Sequence, residues 1–170
     1  GADTITVNGN IVDSELFGNQ DDDRILVSGN ATNSGLYGGQ GNDVVSISGN
    51  AVGGNVEGNS GADTITVAGT ASGALVAGGK GDDSIRLGAV DGGQVGGQLG
   101  ADNLVVDGVL KNALVSMTNT GDPNSTDDGA DSLTVGSSVS NSTIYSGAAA
   151  DFISIDSHLL AGELYGGDGN

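Results

Sequence analysis

The chain has 170 residues, with 22 acidic against 4 basic side chains and a formal charge of −18. This balance excludes a nucleic-acid-binding surface, which needs Lys and Arg against phosphate, and favours cations or a cation-rich medium as partners. With no cysteine, no tryptophan, two phenylalanines and 33 glycines, the chain has no disulfide framework, no thiol chemistry and no aromatic-rich core. It also lacks an apolar run of the ~18 residues that insertion in a membrane as a helix takes.

From the first residue, GADTITV (1–7) sets a pattern: a glycine, an aspartate at the third place, then apolar residues alternating with polar ones. A turn N-G-N (8–10) follows, then Ile11, Leu16 and an acidic loop leading into DDDRILV (21–27). The pattern returns at 41–47, 61–67 and 81–87, then at 100–106, 129–135 and 149–155, so the spacings are 20, 20, 20, 20, 19, 29 and 20 residues. Aspartate holds the third place in every unit, as Asp3, Asp23, Asp43, Asp63, Asp83, Asp102, Asp131 and Asp151. Two further apolar columns run through the repeats, Ile11-Ala31-Ala51-Ala71-Val90-Leu110-Val139-Leu159 and Leu16-Leu36-Val56-Val76-Val95-Val115-Ile144-Leu164.

Alternation with period two in short Val- and Ile-rich runs is strand patterning, and glycine-rich turns separate the runs. One such coil cannot bury its apolar face alone, whereas stacked coils can. The expected fold is therefore all-β: a parallel β-solenoid (β-roll or β-helix) of about eight 20-residue coils over residues 1–170, roughly 40 Å tall at ~4.8 Å per coil. One coil is irregular, with a loop inserted at about 117–128. The start in mid-repeat, without Met or a signal peptide, reads as a processed chain or a piece of a longer one.

Stacking the coils turns the aspartates into a ladder with carboxylates about 5 Å apart, which repel by ~3 kcal/mol at an effective dielectric of ~20. Four bases are too few to pair it. Each carboxylate can cap its own loop by accepting backbone N–H bonds, or the column can hold a hard cation that takes carboxylate and carbonyl oxygens.

Gly38-Gly39-Gln40-Gly41-Asn42-Asp43-Val44-Val45-Ser46 and Gly78-Gly79-Lys80-Gly81-Asp82-Asp83-Ser84-Ile85-Arg86 fit G-G-x-G-x-D-x-U-x and so resemble RTX (hemolysin-type calcium-binding) repeats. The resemblance implies a secreted β-roll with calcium between the glycine turns of adjacent coils. Asp23, Asp43, Asp63, Asp83 and Asp102 would then supply carboxylates, and Gly39, Gly41, Gly79 and Gly81 carbonyls; Asp3, Asp131 and Asp151 are further candidates. Only one turn per coil matches; the opposite turn is N-G-N or S-G-N, without an acid. Gly58-Asn59-Ser60-Gly61-Ala62-Asp63 is one substitution away, and the loop before Asp151 is Ser146-Gly147-Ala148-Ala149-Ala150.

The insertion MTNTGDPNSTDD carries Asp122, Asp127 and Asp128, which could hold another ion or simply decorate a surface loop. Threonines such as Thr4, Thr6, Thr64 and Thr66 suggest an ice-binding ladder, but Arg24, Arg86 and Phe152 interrupt it. No catalytic constellation stands out, so an enzyme is not expected. Similar acidic 20-residue repeats are a feature of cyanobacterial surface and cyanophage structural proteins. The expected role is an extracellular structural or adhesive protein on a cell or virion surface, self-associating end to end or continuing into further repeats. The alternative is an RTX module of a secreted enzyme or toxin, serving secretion and calcium-triggered folding.

Overall fold

The computed structural model describes residues 1–118 and 129–167. Among these residues the regular structure is twenty β-strands and no helix. All strand pairings are parallel, and each joins a strand to its counterpart in the next coil. The protein is thus the expected parallel β-solenoid, eight coils long.

The first coil shows the unit: strands Thr4–Val7, Ile11–Val12 and Glu15–Gln20. Some coils fuse neighbouring strands, as in Ala51–Ser60 and Thr64–Ser72. Ile5 pairs with Ile25, and the column continues through Val45, Ile65, Ile85, Leu104, Leu133 and Ile153. Alternation sends these side chains inward with their neighbours two residues on, such as Val27, Ile47 and Val67, all at most 1 % exposed. The two other apolar columns, from Ile11 to Val139 and from Leu16 to Ile144, complete a single core cluster.

The irregular spacings leave the coils paired on either side. The 19-residue step removes one residue between Leu87 and Ala89, where the register against the preceding coil shifts. The 29-residue step leaves the ladder after Met117, whose N–H donates to Tyr145 O at 2.9 Å, and is back in it at Gly129, whose N–H donates to Gly100 O at 3.0 Å. Asn103 and Ser132 then pair as if no extra residues lay between them.

The sequence pattern indicates two turns per coil; the structure has three corners. The additional one is a left-handed bend, a single residue at Asp13, Asn33, Gly73, Asn112, Asn141 and Ala161 and a glycine pair at Gly53-Gly54 and Gly92-Gly93, with φ between 47° and 83°. A lone residue in that conformation bends the strand sharply, and Gly, Asn and Asp tolerate it best. Because the bend consumes one or two residues, it leaves no loop signature in the sequence.

Leu36 is fully buried in the middle of the core cluster. Leu36→Ala is expected to destabilise the protein by about 2–5 kcal/mol in urea unfolding, whereas Ser84→Ala on the exposed face is expected to stay within about 0.5 kcal/mol of wild type.

Candidate functional site

The aspartate column lies at the third corner, where the glycine-rich loop enters the first strand of the next coil. Strand alternation decides the direction of these side chains. Asp43 is two residues before inward Val45 and four before Ile47, so its carboxyl also turns inward. Asp23, Asp43, Asp63, Asp83, Asp102 and Asp131 are all at most 3 % exposed. Asp151 is half-buried, and Asp3, in the first coil, is exposed.

At this corner the backbone N–H of each aspartate points along the solenoid axis, and the carboxylate of the next coil supplies its acceptor. Asp3 N–H donates to Asp23 Oδ1 at 2.6 Å, and Asp23 N–H to Asp43 Oδ1 at 2.7 Å. The chain of bonds continues through Asp63, Asp83, Asp102, Asp131 and Asp151 at 2.7–3.0 Å. The aspartate carbonyls are engaged as well: Val44 N–H donates to Asp23 O and Thr64 N–H to Asp43 O, both at 2.8 Å. Each aspartate therefore closes a gap in the inter-coil ladder that would otherwise leave a buried donor unsatisfied.

The second carboxylate oxygen is the anomaly. Oδ2 of Asp23, Asp43, Asp63, Asp83 and Asp151 is buried without a hydrogen-bond partner. In the central coils it faces the first glycine of the loop. A Cβ on Gly38 would stand 2.5 Å from Asp43 Oδ2 and 2.8 Å from the carbonyl oxygen of Gly58 in the next coil. Carboxylate and carbonyl oxygens thus crowd one small space, both of them acceptors. A buried carboxylate oxygen without a hydrogen-bond partner near a carbonyl is compatible with a proton or a cation at this corner.

Titration behaviour reflects the same burial. Burial pushes the Asp43 carboxyl above its ordinary value, Asp63 up to about 6 and Asp83 up to about 7. The N–H donated by the preceding aspartate opposes the rise, and neighbouring carboxylates add to it.

The glycines expected to lend carbonyls to calcium have a packing role of their own. Gly39, Gly41, Gly79 and Gly81 have φ between 117° and 130°, and a Cβ on any of them would collide with a carbonyl of the preceding coil. Gly41 and Gly81 also donate N–H bonds to Ser60 O at 2.9 Å and Leu99 O at 2.7 Å. The loop is therefore held coil to coil by backbone bonds. Among the described residues, no three His, Cys, Asp or Glu side chains converge as a metal-binding group. An ion at this corner would rest on Oδ2 of one carboxylate per coil and on loop carbonyls. Asp122, Asp127 and Asp128 lie outside the described residues.

Two further side-chain ladders escape a reading focused on acids. Asn10 Oδ1 accepts from Asn30 N–H, Asn30 Oδ1 from Asn50 N–H and Asn50 Oδ1 from Thr70 N–H, each at 2.8 Å. Beside the aspartate column, Asp22 accepts from Asn42 N–H at 2.7 Å and Asn42 from Ala62 N–H at 2.8 Å. Both run opposite to the aspartate column, the side chain capping the following coil rather than the preceding one. The 20-residue spacing of Asn10, Asn30 and Asn50 was the signal available for the first of them.

Fold and site together define a parallel β-solenoid repeat protein with a stacked, buried aspartate column. No protein-family model matches the chain, and neither does any curated protein or solved structure.

The raised carboxyl pKa values set the sign of a pH effect. Protonated carboxyls are favoured by the folded state, so their stabilising contribution is fully present below the ordinary carboxylate pKa of about 4 and is lost as pH rises through about 6 to 7. In chelator-treated buffer the melting temperature is expected to fall between pH 5 and pH 8, and Asp83→Asn to flatten that slope. A double-mutant cycle probes the crowding. Gly58→Ala is expected to cost about 1–3 kcal/mol, because a Cβ there would collide with the Asp63 carboxyl, the Asp63 Cβ and the Gly78 carbonyl; an Asp63→Ala background removes only the carboxyl clash, so in denaturant titrations the cost is expected to shrink but not to vanish.

Proposed function

We propose that this chain is an extracellular structural or adhesive repeat segment, a stiff spacer on a cell or virion surface. The observation carrying this reading is the unbroken inter-coil register: the same columns pair from Ile5 to Ile153 across 19-, 20- and 29-residue spacings. The axial ladder is kept despite the variation in length, which is the economy of a rod. The formal charge of −18 suits a surface in a cation-rich medium. Core-column residues Leu159 and Leu164 of the last described coil are 44 % and 45 % exposed, a surface suited to a further coil or to a second copy stacked end to end.

Calcium is the second reading for the column, and the unpartnered Oδ2 atoms of Asp43, Asp63 and Asp83 favour it. On that reading these carboxylates hold the ion with carbonyls of the glycine loops, and the positive charge at each corner is metallic at neutral pH. It also suits the alternative setting, a calcium-binding module of a secreted enzyme or toxin.

Antibodies against this chain are expected to label intact, unpermeabilised source cells or virions; labelling only after permeabilisation contradicts the extracellular reading. At pH 8, millimolar calcium is expected to raise the melting temperature of a chelator-treated sample, with Asp63→Asn and Asp83→Asn blunting the rise. Identical melts with calcium and with chelator leave the proton as the neutralising species.

A further inference from the structure

The outward face of the third strands carries a feature unrelated to the aspartate column. Phe17 and Tyr37, in register on consecutive coils, stack with ring centroids 5.0 Å apart and planes 11° from parallel. Phe17 is 49 % exposed, a large apolar ring left open to solvent. Tyr37 lies against its own strand, in space that a glycine leaves open: a Cβ on Gly35 would stand 2.5 Å from Tyr37 Cε2. Asn55 of the third coil donates from Nδ2 to Tyr37 Oη at 3.4 Å, a long bond that ties the ring to the next coil.

Tyr37 is the ridge between two hollows. One, of about 580 Å³, is lined by Asp13, Asn33 and Asn55 among others. The other, of about 410 Å³, is lined by Phe17, Asn19, Gln40 and Asn59 among others. No Lys or Arg lines either of them. Asn33 lines the first hollow and Asn19 and Asn59 the second, with the Asn19 amide donating to Phe17 O at 3.3 Å.

The combination selects a class of ligand. An exposed aromatic surface accepts the apolar C–H face of a ring, while amides and carboxylates pair with adjacent hydroxyls as donor and acceptor. The absence of bases from the lining and the presence of Asp13 disfavour phosphate, sulfate and uronate groups. The polar walls disfavour a lipid chain.

We propose that the Phe17–Tyr37 step and its two flanking hollows form a binding site for a neutral saccharide chain, one sugar ring packing on the aromatic step and its neighbours lying in the hollows. Held by Gly35 and Asn55, the step is preorganised, so little side-chain freedom is lost on binding. The site stands independently of the aspartate column and of the spacer reading.

Affinity electrophoresis of the intact chain tests this, with hydroxyethyl cellulose, galactomannan and dextran as neutral probes and dextran sulfate and a lysine-rich peptide as charged controls. Retardation by at least one neutral polysaccharide is expected, weakened about tenfold or more by Phe17→Ala and by Tyr37→Ala but not by Phe152→Ala, an exposed ring on a first strand. Circular dichroism melts check that the variants fold, and Gln40→Ala, at an exposed rim position, gives a weaker loss of retardation without touching the stack. The proposal is overturned if none of the three neutral polymers retards the protein, if only a charged control binds, or if Tyr37→Ala and Gln40→Ala both bind like wild type. A negative result here leaves the surface-labelling result untouched.

Discussion

The structure depends on one constraint at one corner: a buried backbone N–H needs an acceptor, and a carboxylate from the next coil provides it. Asp43 Oδ1 accepts from Asp23 N–H at 2.7 Å, and the same bond recurs from Asp3 to Asp151. The arrangement solves the donor problem and creates a second one, because Oδ2 is carried into the same dry space. Asparagine would accept the same N–H and present an amide instead of a second acceptor. Aspartate in all eight coils is compatible with a proton or a cation at each corner.

That arrangement connects the loop composition to the ladder. The first loop glycine, at 18, 38, 58, 78 and 97, leaves the space that the carboxyl fills. In the two coils around the insertion the equivalent positions, counted from Val115 and Ile144, are Met117 and Ser146, both buried. The aspartate bonds nevertheless continue there, with Asp102 N–H donating to Asp131 Oδ1 at 2.7 Å and Asp131 N–H to Asp151 Oδ1 at 3.0 Å. The ladder bond tolerates loss of the loop motif, so it is the more basic of the two features, and the G-G-x-G-x-D pattern is a refinement laid over it.

Much of this could be read from the residues alone. The spacing of Ile5, Ile25 and Val45 is the register, and the alternation toward Val7, Val27 and Ile47 is the inward face. The column at Asp23, Asp43 and Asp63 was visible, as were the two roles it could play, because periodicity in a solenoid is position in space. The bend at Asp13 and Asn33 was not, since a one-residue corner needs only a left-handed φ and interrupts no pattern strongly. The opposing polarity of the Asn10–Asn50 and Asp23–Asp83 ladders was also hidden, because it depends on which way each N–H points at its corner. The Phe17–Tyr37 neighbourhood follows from the 20-residue spacing, but the room that Gly35 leaves for the ring was hidden.

The most direct measurement is a carboxyl-carbon NMR titration of the aspartates in chelator-treated protein. The account predicts that Asp63 and Asp83 titrate at about 6 and about 7, well above the ordinary aspartate value of about 4. Midpoints near 4 for Asp63 and Asp83 in the absence of any divalent cation would show both corners charged and unneutralised, contradicting the account of the buried column.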